Sequence, residues 1–116
     1  MKKKKTVGLK YKGKKFKIEL VEVSEFGKIK GLMFCRKEKA EALLFKFKKP
    51  TTISIHSYFV RFPFLAIWLD VMGKVIEVKK VEPSTASVKP NKPFAKLIEI
   101  PINERYKDLI ELLDES

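Results

Sequence analysis

The chain has 116 residues, with 26 Lys and Arg against 14 Asp and Glu, which leaves a formal charge of +12. This length predicts a single domain, and a hydrophobic share of 45% with 9 Phe excludes a wholly disordered polar chain. The single Cys excludes an intramolecular disulfide, and one Cys with one His excludes a zinc-finger type of site.

The first half of the chain predicts a β-hairpin behind a basic tail. Residues 1–6 are mostly Lys and are expected to form a disordered tail, followed by one β-rich domain over residues 7–116. Lys alternating with apolar residues predicts strands over 7–12 and 15–23, with Gly13 taking a positive φ in the turn between them. The rest of this half is expected to form a polar connection over 24–30 and one or two helical turns over 36–42.

Strand-like runs dominate the second half. Residues 63–71 are apolar on both faces, which predicts a central buried strand. Asp70 and Gly73 predict a tight hairpin after it, Asp for a side-chain bond to the turn backbone and Gly for the left-handed conformation. A loop rich in Pro and Ser covers 82–93. Further strands are predicted over 43–48, 51–60, 74–81 and 94–100.

The end of the chain predicts one short helix. Asn103 is a plausible N-cap with Glu104 in the first turn, and an apolar stripe at helical spacing follows. The stripe consists of Tyr106, Leu109, Ile110 and Leu113. Together these elements predict a mainly β fold, a β-sandwich or jelly-roll-like arrangement or a partly open barrel of short antiparallel strands, with one C-terminal helix that packs as a structural cap. An α+β fold is the minor alternative.

The whole net charge lies in residues 1–50, which carry 17 Lys and Arg and 5 Asp and Glu. Lys alternating with Phe and Ile is typical of the solvated face of a half-buried strand. The same excess favours weak, salt-sensitive binding of nucleic acid or another polyanion. Arg carries most base recognition, and the chain has only Arg36, Arg61 and Arg105. Sequence-specific recognition of nucleic acid is therefore not expected.

Composition also predicts the type of source organism and the cellular location of the protein. The chain contains no Gln, two Asn and many Lys and Glu, a pattern that indicates a thermophilic source. The Lys-rich start has no apolar stretch behind it, so no signal peptide is expected. Charge-free runs such as 51–60 and 62–69 are too short to span a membrane. We therefore expect a soluble cytoplasmic protein.

Five segments in order resemble a known family. They are Lys30-Gly31-Leu32-Met33, Leu44-Phe45-Lys46-Phe47, the run from Phe62 to Asp70, Gly73-Lys74-Val75-Ile76-Glu77, and the strand from Ala95 to Pro101. Their order and spacing resemble the domain-of-unknown-function family 192, also called uncharacterised protein family 0127. The resemblance implies a compact, mainly β sandwich or jelly-roll-like fold and no established activity.

The chain also departs from the pattern of many bacterial members of that family. Those members carry a polar Met-Lys-Asn-Thr stretch before the Pro, and an Asp where this chain has Leu65. Here the stretch before Pro63 contains Tyr58, Phe59 and Arg61. The sequence is more similar to an archaeal branch with a His and aromatic residues at this place.

Few residues in the chain are candidates for catalysis or ligand binding. His56 is the only side chain with an unperturbed pKa near neutrality, and aromatic residues with Arg61 follow it. The candidate binding residues are His56, Tyr58, Arg61 and Arg36. Cys35 is most simply a small buried apolar residue.

No arrangement of catalytic residues, metal ligands or a phosphate-binding Gly loop is evident, so we expect neither a catalytic centre nor a metal or other cofactor. These residues predict a non-catalytic binding or accessory domain that is a monomer or a small homo-oligomer. The alternatives are a non-specific nucleic-acid or polyanion binder acting through the first-half lysines, and an enzyme with an unrecognised site near His56 and Arg61.

Overall fold

The computed structural model describes residues 3–23, 32 and 35–114. Within these residues six strands form: β1 (Lys3–Tyr11), β2 (Lys14–Val23), β3 (Leu43–Thr51), β4 (Phe64–Leu69), β5 (Val75–Val81) and β6 (Phe94–Pro101). A 3₁₀ turn, Lys37–Lys39, precedes β3. A second 3₁₀ turn, Glu104–Tyr106, leads directly into helix α1 (Lys107–Asp114).

The six strands form one mixed sheet in the order β1-β2-β3-β6-β4-β5. Neighbouring strands are antiparallel except β2 and β3, which are parallel. The sheet curls into a half-barrel with the single helix α1. This confirms the predicted mainly β fold with one C-terminal helix, and among the predicted arrangements the partly open barrel is the closest.

The first hairpin follows its predicted turn chemistry. Lys12 and Gly13 have φ of 49° and 80°, which makes the two-residue loop a type I′ turn whose twist matches that of the flanking strands. β1 is longer than expected, because Lys3 already pairs with Glu22. Residues 3–6, expected in a disordered tail, instead lie in β1.

The second hairpin also forms as predicted, and β4 before it is buried on both faces along its whole length. Asp70 Oδ1 accepts hydrogen bonds from the backbone N–H of Met72 and Lys74, both at 2.9 Å. Gly73 takes the left-handed conformation with φ of 85°. These contacts fix the reversal from β4 into β5.

The segment 51–60 is not the strand that its β-branched residues predicted. Thr51 ends β3, and Ile55 makes only an isolated bridge to Val88. Buried Ser57 holds this loop instead, since its Oγ donates to Glu82 O at 2.6 Å and accepts from Thr85 N at 2.7 Å. The predicted helical turns over 36–42 shorten to the 3₁₀ turn. The polar connection over 24–30 lies outside the described residues, as do Gly31 and Met33 of the first resemblance segment.

Buried apolar side chains form two clusters, one on each face of the sheet, rather than the single core between two sheets that a sandwich implies. One cluster draws on all six strands and on α1, so it fills the inside of the curl. The other lies on the outer face and includes Phe45, Phe64 and Trp68. Ile53, an apolar residue of the predicted strand over 51–60, is 41% exposed.

The inner cluster is closed at one end by the chain that follows β6. Tyr106, Ile110 and Leu113 are buried in it, and the Tyr106 hydroxyl accepts a hydrogen bond from the backbone N–H of Ala42 at 2.7 Å. Asn103 acts as the predicted N-cap, with its Oδ1 accepting from Tyr106 N at 3.3 Å. Its Nδ2 also donates to the carbonyls of Lys37 and Ala40.

Candidate anion-binding site

The structure places the four residues predicted as binding residues on the surface, and it joins two of them. His56 Nδ1 accepts a hydrogen bond from Tyr58 N at 3.3 Å, and the two rings lie 5.0 Å apart. Arg61 and Arg36 are exposed. Among the described residues no carboxylate or hydroxyl contacts the His56 ring, so the arrangement provides no catalytic partner for it.

The aromatic run around Arg61 divides between surface and core. Tyr58 and Phe59 are 44% and 62% exposed, whereas Phe62, Phe64 and Trp68 are at most 2% exposed. Phe59 has a φ of 65°, the left-handed region that a bulky residue rarely adopts. The run therefore forms no common pocket. Among the described residues no cluster of His, Cys, Asp and Glu has the make-up of a metal site.

A different group of residues converges at the inner face of the sheet. Lys5, Lys46 and Lys96 line a cavity of about 320 Å³ between β1 and the β4–β5 turn. Lys46 lies directly opposite Lys96 in the β3–β6 ladder. Lys96 in turn pairs with Leu69, the last residue of β4. The three lysines, here called the lysine mouth, lie at the end of the half-barrel where β6 begins, and α1 follows the end of β6.

The strand period explains why these lysines share one face. Side chains two residues apart on a strand point the same way, so Lys46 follows Leu44 and Lys96 precedes Ile98, two members of the inner cluster. Lys5 pairs with Leu20, which also belongs to that cluster. The lysine mouth therefore continues the inner face beyond its apolar part.

The electrostatics of the lysine mouth are unbalanced. Glu22 Oε1 lies 2.8 Å from Lys46 Nζ and 3.4 Å from Lys5 Nζ, so one carboxylate serves two ammonium groups. The neighbouring Lys46 ammonium lowers the pKa of Lys5, and the hydrogen bond to Glu22 raises the pKa of Lys46. Lys96 has no ion-pair partner among the described residues. The site therefore carries an excess of positive charge that an anion would neutralise.

A second cavity, of about 630 Å³, extends the lysine mouth towards the first hairpin. Both cavities are lined by Gly8, Met72 and Gly73, so they adjoin along β1, and together they are here called the lysine groove. The second cavity adds Lys10, Lys12 and Lys74. The described lining of this lysine groove contains six lysines and no Asp or Glu.

Sequence reasoning missed the lysine mouth because it lies across the halves of the chain. Lys5 was assigned to a tail, Lys46 was interpreted as a solvated strand face, and Lys96 belongs to the half with no net charge. The excess of charge in residues 1–50 includes Lys5 and Lys46. Only the pairing of β3 with β6 brings Lys96 to them.

Glu99 alternates with apolar residues along β6, a pattern typical of a solvent-facing side chain, but it is buried. It is 6% exposed, pairs with Leu43 on β3 and Ala66 on β4, and makes no hydrogen bond or ion pair with any described residue. Desolvation raises the pKa of this carboxyl to about 8. Trp68 Nε1, also buried, has no hydrogen-bond partner among the described residues. Both groups lie away from the lysine mouth, on the outer face of the sheet.

No described helix is long and apolar enough to cross a membrane. No functionally curated protein matches the chain. Two solved structures share its fold. A putative transcription regulator from Sinorhizobium meliloti 1021 matches with a TM-score of 0.73 and 16% identity, covering 91% of this chain and 84% of that one. A protein of unknown function from Novosphingobium aromaticivorans DSM 12444 matches with a TM-score of 0.74 and 17% identity, covering 91% and 78%.

The sequence profile of DUF192, a family of uncharacterised proteins, matches residues 7–110. This span contains the five segments whose order and spacing suggested the family. The chain belongs to the DUF192 family.

Proposed function

We propose that this protein is a non-catalytic binding domain whose lysine mouth takes an anionic group, a phosphate or a carboxylate. The observation that supports this is the convergence of Lys5, Lys46 and Lys96 on one cavity with Glu22 as the acid that pairs with two of them. A cavity of about 320 Å³ is at the small end of the range for ligand pockets.

Like charges held close together favour an anion for a simple reason. Cross-strand pairs of like charge destabilise a sheet, and Lys46 opposite Lys96 is such a pair. A bound anion would remove this repulsion. It would also raise the pKa of Lys5, which the Lys46 ammonium now lowers. Lys binds phosphate as a point charge, so the site does not require the paired N–H groups with which Arg binds a phosphate.

Calorimetric titration with inorganic pyrophosphate tests the site. Lys46→Met should weaken binding at least fivefold, whereas Lys107→Met, which removes the same charge from an exposed position of helix α1, should change it less than twofold. In the wild type, NMR titration of the Lys5 side chain should show a higher pKa with pyrophosphate than without it. Equal weakening by the two substitutions would show that only the net charge matters and would overturn the proposal.

The second candidate is a non-specific polyanion binder acting through the first-half lysines. It is supported by the exposed lysines of the β1–β2 hairpin, which extend over both of its faces. A nucleic-acid ligand would also agree with the description of the Sinorhizobium meliloti structure as a putative transcription regulator. This candidate predicts that affinity follows the number of lysines rather than their position.

A further inference from the structure

The half-barrel is not closed, and β1 has one unpaired edge. β1 is the first strand in the sheet and pairs only with β2, while β5 forms the opposite edge. The two edge strands approach each other, but no backbone hydrogen bond joins them among the described residues. Such an edge presents a row of N–H and C=O groups that can pair with another chain.

The hairpin geometry identifies which groups lie on that edge. In a two-residue type I′ hairpin the residues flanking the loop form a hydrogen-bonded pair, here Tyr11 with Lys14. The register continues without a shift along the strand, so alternate residues direct their N–H and C=O groups away from β2. Those residues are Lys4, Thr6, Gly8 and Lys10.

Gly8 leaves the middle of this edge open. A Cβ built at Gly8 meets no atom within 4 Å, so the space beside the backbone is open at this position. Gly8 also lines both cavities of the lysine groove. The unpaired backbone and the lysine side chains are therefore parts of one surface.

The charge of the β1 edge and the lysine groove indicates which kind of molecule binds there. Six lysines line the groove, and two of them share Glu22 as an ion-pair partner, so the remaining positive charge favours an acidic chain. A second copy pairing edge to edge would place β1 lysines against β1 lysines, which is unfavourable. Single-stranded nucleic acid requires exposed aromatic rings for stacking, and the one ring in the described lining is half-buried Tyr11.

We propose that β1 binds an acidic segment of a partner protein in extended conformation, as an added strand. The backbone of the segment pairs with the outward groups around Gly8, and carboxylates on alternate residues enter the lysine groove. The inference rests on the proposed function, because it assigns the anion of the lysine mouth to side-chain carboxylates. Lysines along an edge discourage pairing with similar edges because like charges repel. An acidic strand is attracted to the same lysines and can therefore pair.

The probe is a nine-residue peptide with blocked ends in which Glu alternates with Val, labelled for fluorescence anisotropy. Gly8→Pro removes an outward N–H, and Pro is tolerated on edge strands where that N–H faces solvent. We expect this substitution to weaken peptide binding at least tenfold while pyrophosphate still binds. Gly8→Ala adds one carbon in open space but keeps the N–H, so the difference between the two variants isolates the lost N–H. We expect Gly8→Ala to bind the peptide at least fivefold more tightly than Gly8→Pro.

A second peptide with N-methyl groups on alternate amides keeps every charge but cannot pair along its whole backbone. It should bind at least tenfold more weakly, and hydrogen exchange at the Gly8 amide should slow only with the unmodified peptide. These two measurements use the wild-type protein and do not depend on how well Gly8→Pro folds.

Equal binding of the two peptides would overturn the inference, since charge alone would then explain it. Tighter binding of a single-stranded oligonucleotide than of the peptide would overturn it in favour of nucleic acid. Pyrophosphate binding without peptide binding would overturn only the inference. Peptide binding that is lost in Gly8→Pro but unchanged in Lys46→Met would support strand addition and overturn the lysine mouth.

Discussion

Glu99 is a buried acid with no partner among the described residues. Its neighbours in the two adjacent strands, Leu43 and Ala66, cannot compensate a charge. Burial therefore disfavours the carboxylate and raises the pKa of Glu99 from its ordinary value of 4.5 to about 8. At neutral pH this residue is mostly protonated in the folded protein and ionised in the unfolded chain.

This difference sets the sign of a pH effect on stability. Between about pH 4.5 and 8 the folded state holds a proton that the unfolded state has lost, so the free energy of unfolding falls as pH rises through that window. Each pKa unit corresponds to about 1.4 kcal/mol, so the loss amounts to a few kcal/mol by pH 8. Glu99→Gln removes this contribution. We expect urea unfolding to show the variant gaining stability relative to the wild type as pH rises from 4.5 to 8.

The exposed carboxylate of Glu19 on β2 provides the control. Glu19→Gln should show no comparable gain relative to the wild type over the same pH range. A constant difference in unfolding free energy between Glu99→Gln and the wild type would contradict a buried neutral acid.

Local chemistry explains which elements were predictable from sequence. The two hairpins depend on residues within their own turns, Gly13 in one and Asp70 with Gly73 in the other, and both formed as predicted. Residues 51–60 have strand-like composition, but the hydrogen bonds of Ser57 to the distant loop at Glu82 and Thr85 hold this segment outside the sheet. Tertiary contacts overrode propensity there.

The candidate site was less predictable than the elements. The alternation that correctly placed Lys46 on a strand did not show which residue would lie opposite it on the neighbouring strand β6. The alternation around Glu99 is that of a half-solvated strand and therefore predicts an exposed side chain. In the structure β6 lies between two other strands and is covered on both faces, so Glu99 is buried. Alternation gives the two faces of a strand but not what covers each face.

Helix α1 belongs to the core of the half-barrel rather than to its surface. Its stripe is buried in the inner cluster, and the Tyr106 hydroxyl satisfies a backbone N–H at the start of β3. An eight-residue helix is too short to be stable alone in water, so its folding depends on this packing. The burial supports the interpretation of the helix as a structural cap.

Leu109→Asp tests that interpretation. Leu109 is half-buried against the inner cluster, so a carboxylate there loses apolar burial of roughly 1–3 kcal/mol. We expect the melting temperature of the whole domain to fall by several degrees. Leu112→Asp is the matched control, because Leu112 is 40% exposed on the same helix. Unchanged melting in Leu109→Asp with loss of self-association would contradict the cap and assign the stripe to an interface between copies.

At the scale of the whole molecule, net charge and local geometry predict different responses to substitution. A charge of +12 attracts any polyanion, whereas the lysine mouth requires three ammonium groups at one cavity. Comparing two double substitutions with two ligands separates these effects. One is Lys46→Met with Lys96→Met in the lysine mouth, and the other is Lys15→Met with Lys17→Met on the exposed face of β2.

For duplex DNA, the logarithm of affinity falls with the logarithm of salt concentration by roughly 0.9 per phosphate neutralised. We expect both double variants to make this slope shallower by a similar amount, of at most about two units, because a duplex responds to charge wherever it lies. For pyrophosphate we expect only the Lys46 and Lys96 variant to lose affinity, since a small anion contacts only the charges of one cavity. If only the Lys46 and Lys96 variant changed the salt dependence of DNA binding, this distinction between net charge and local geometry would be contradicted. In that case the lysine groove beside β1 would bind nucleic acid, and the proposal that it binds an acidic partner segment would be wrong.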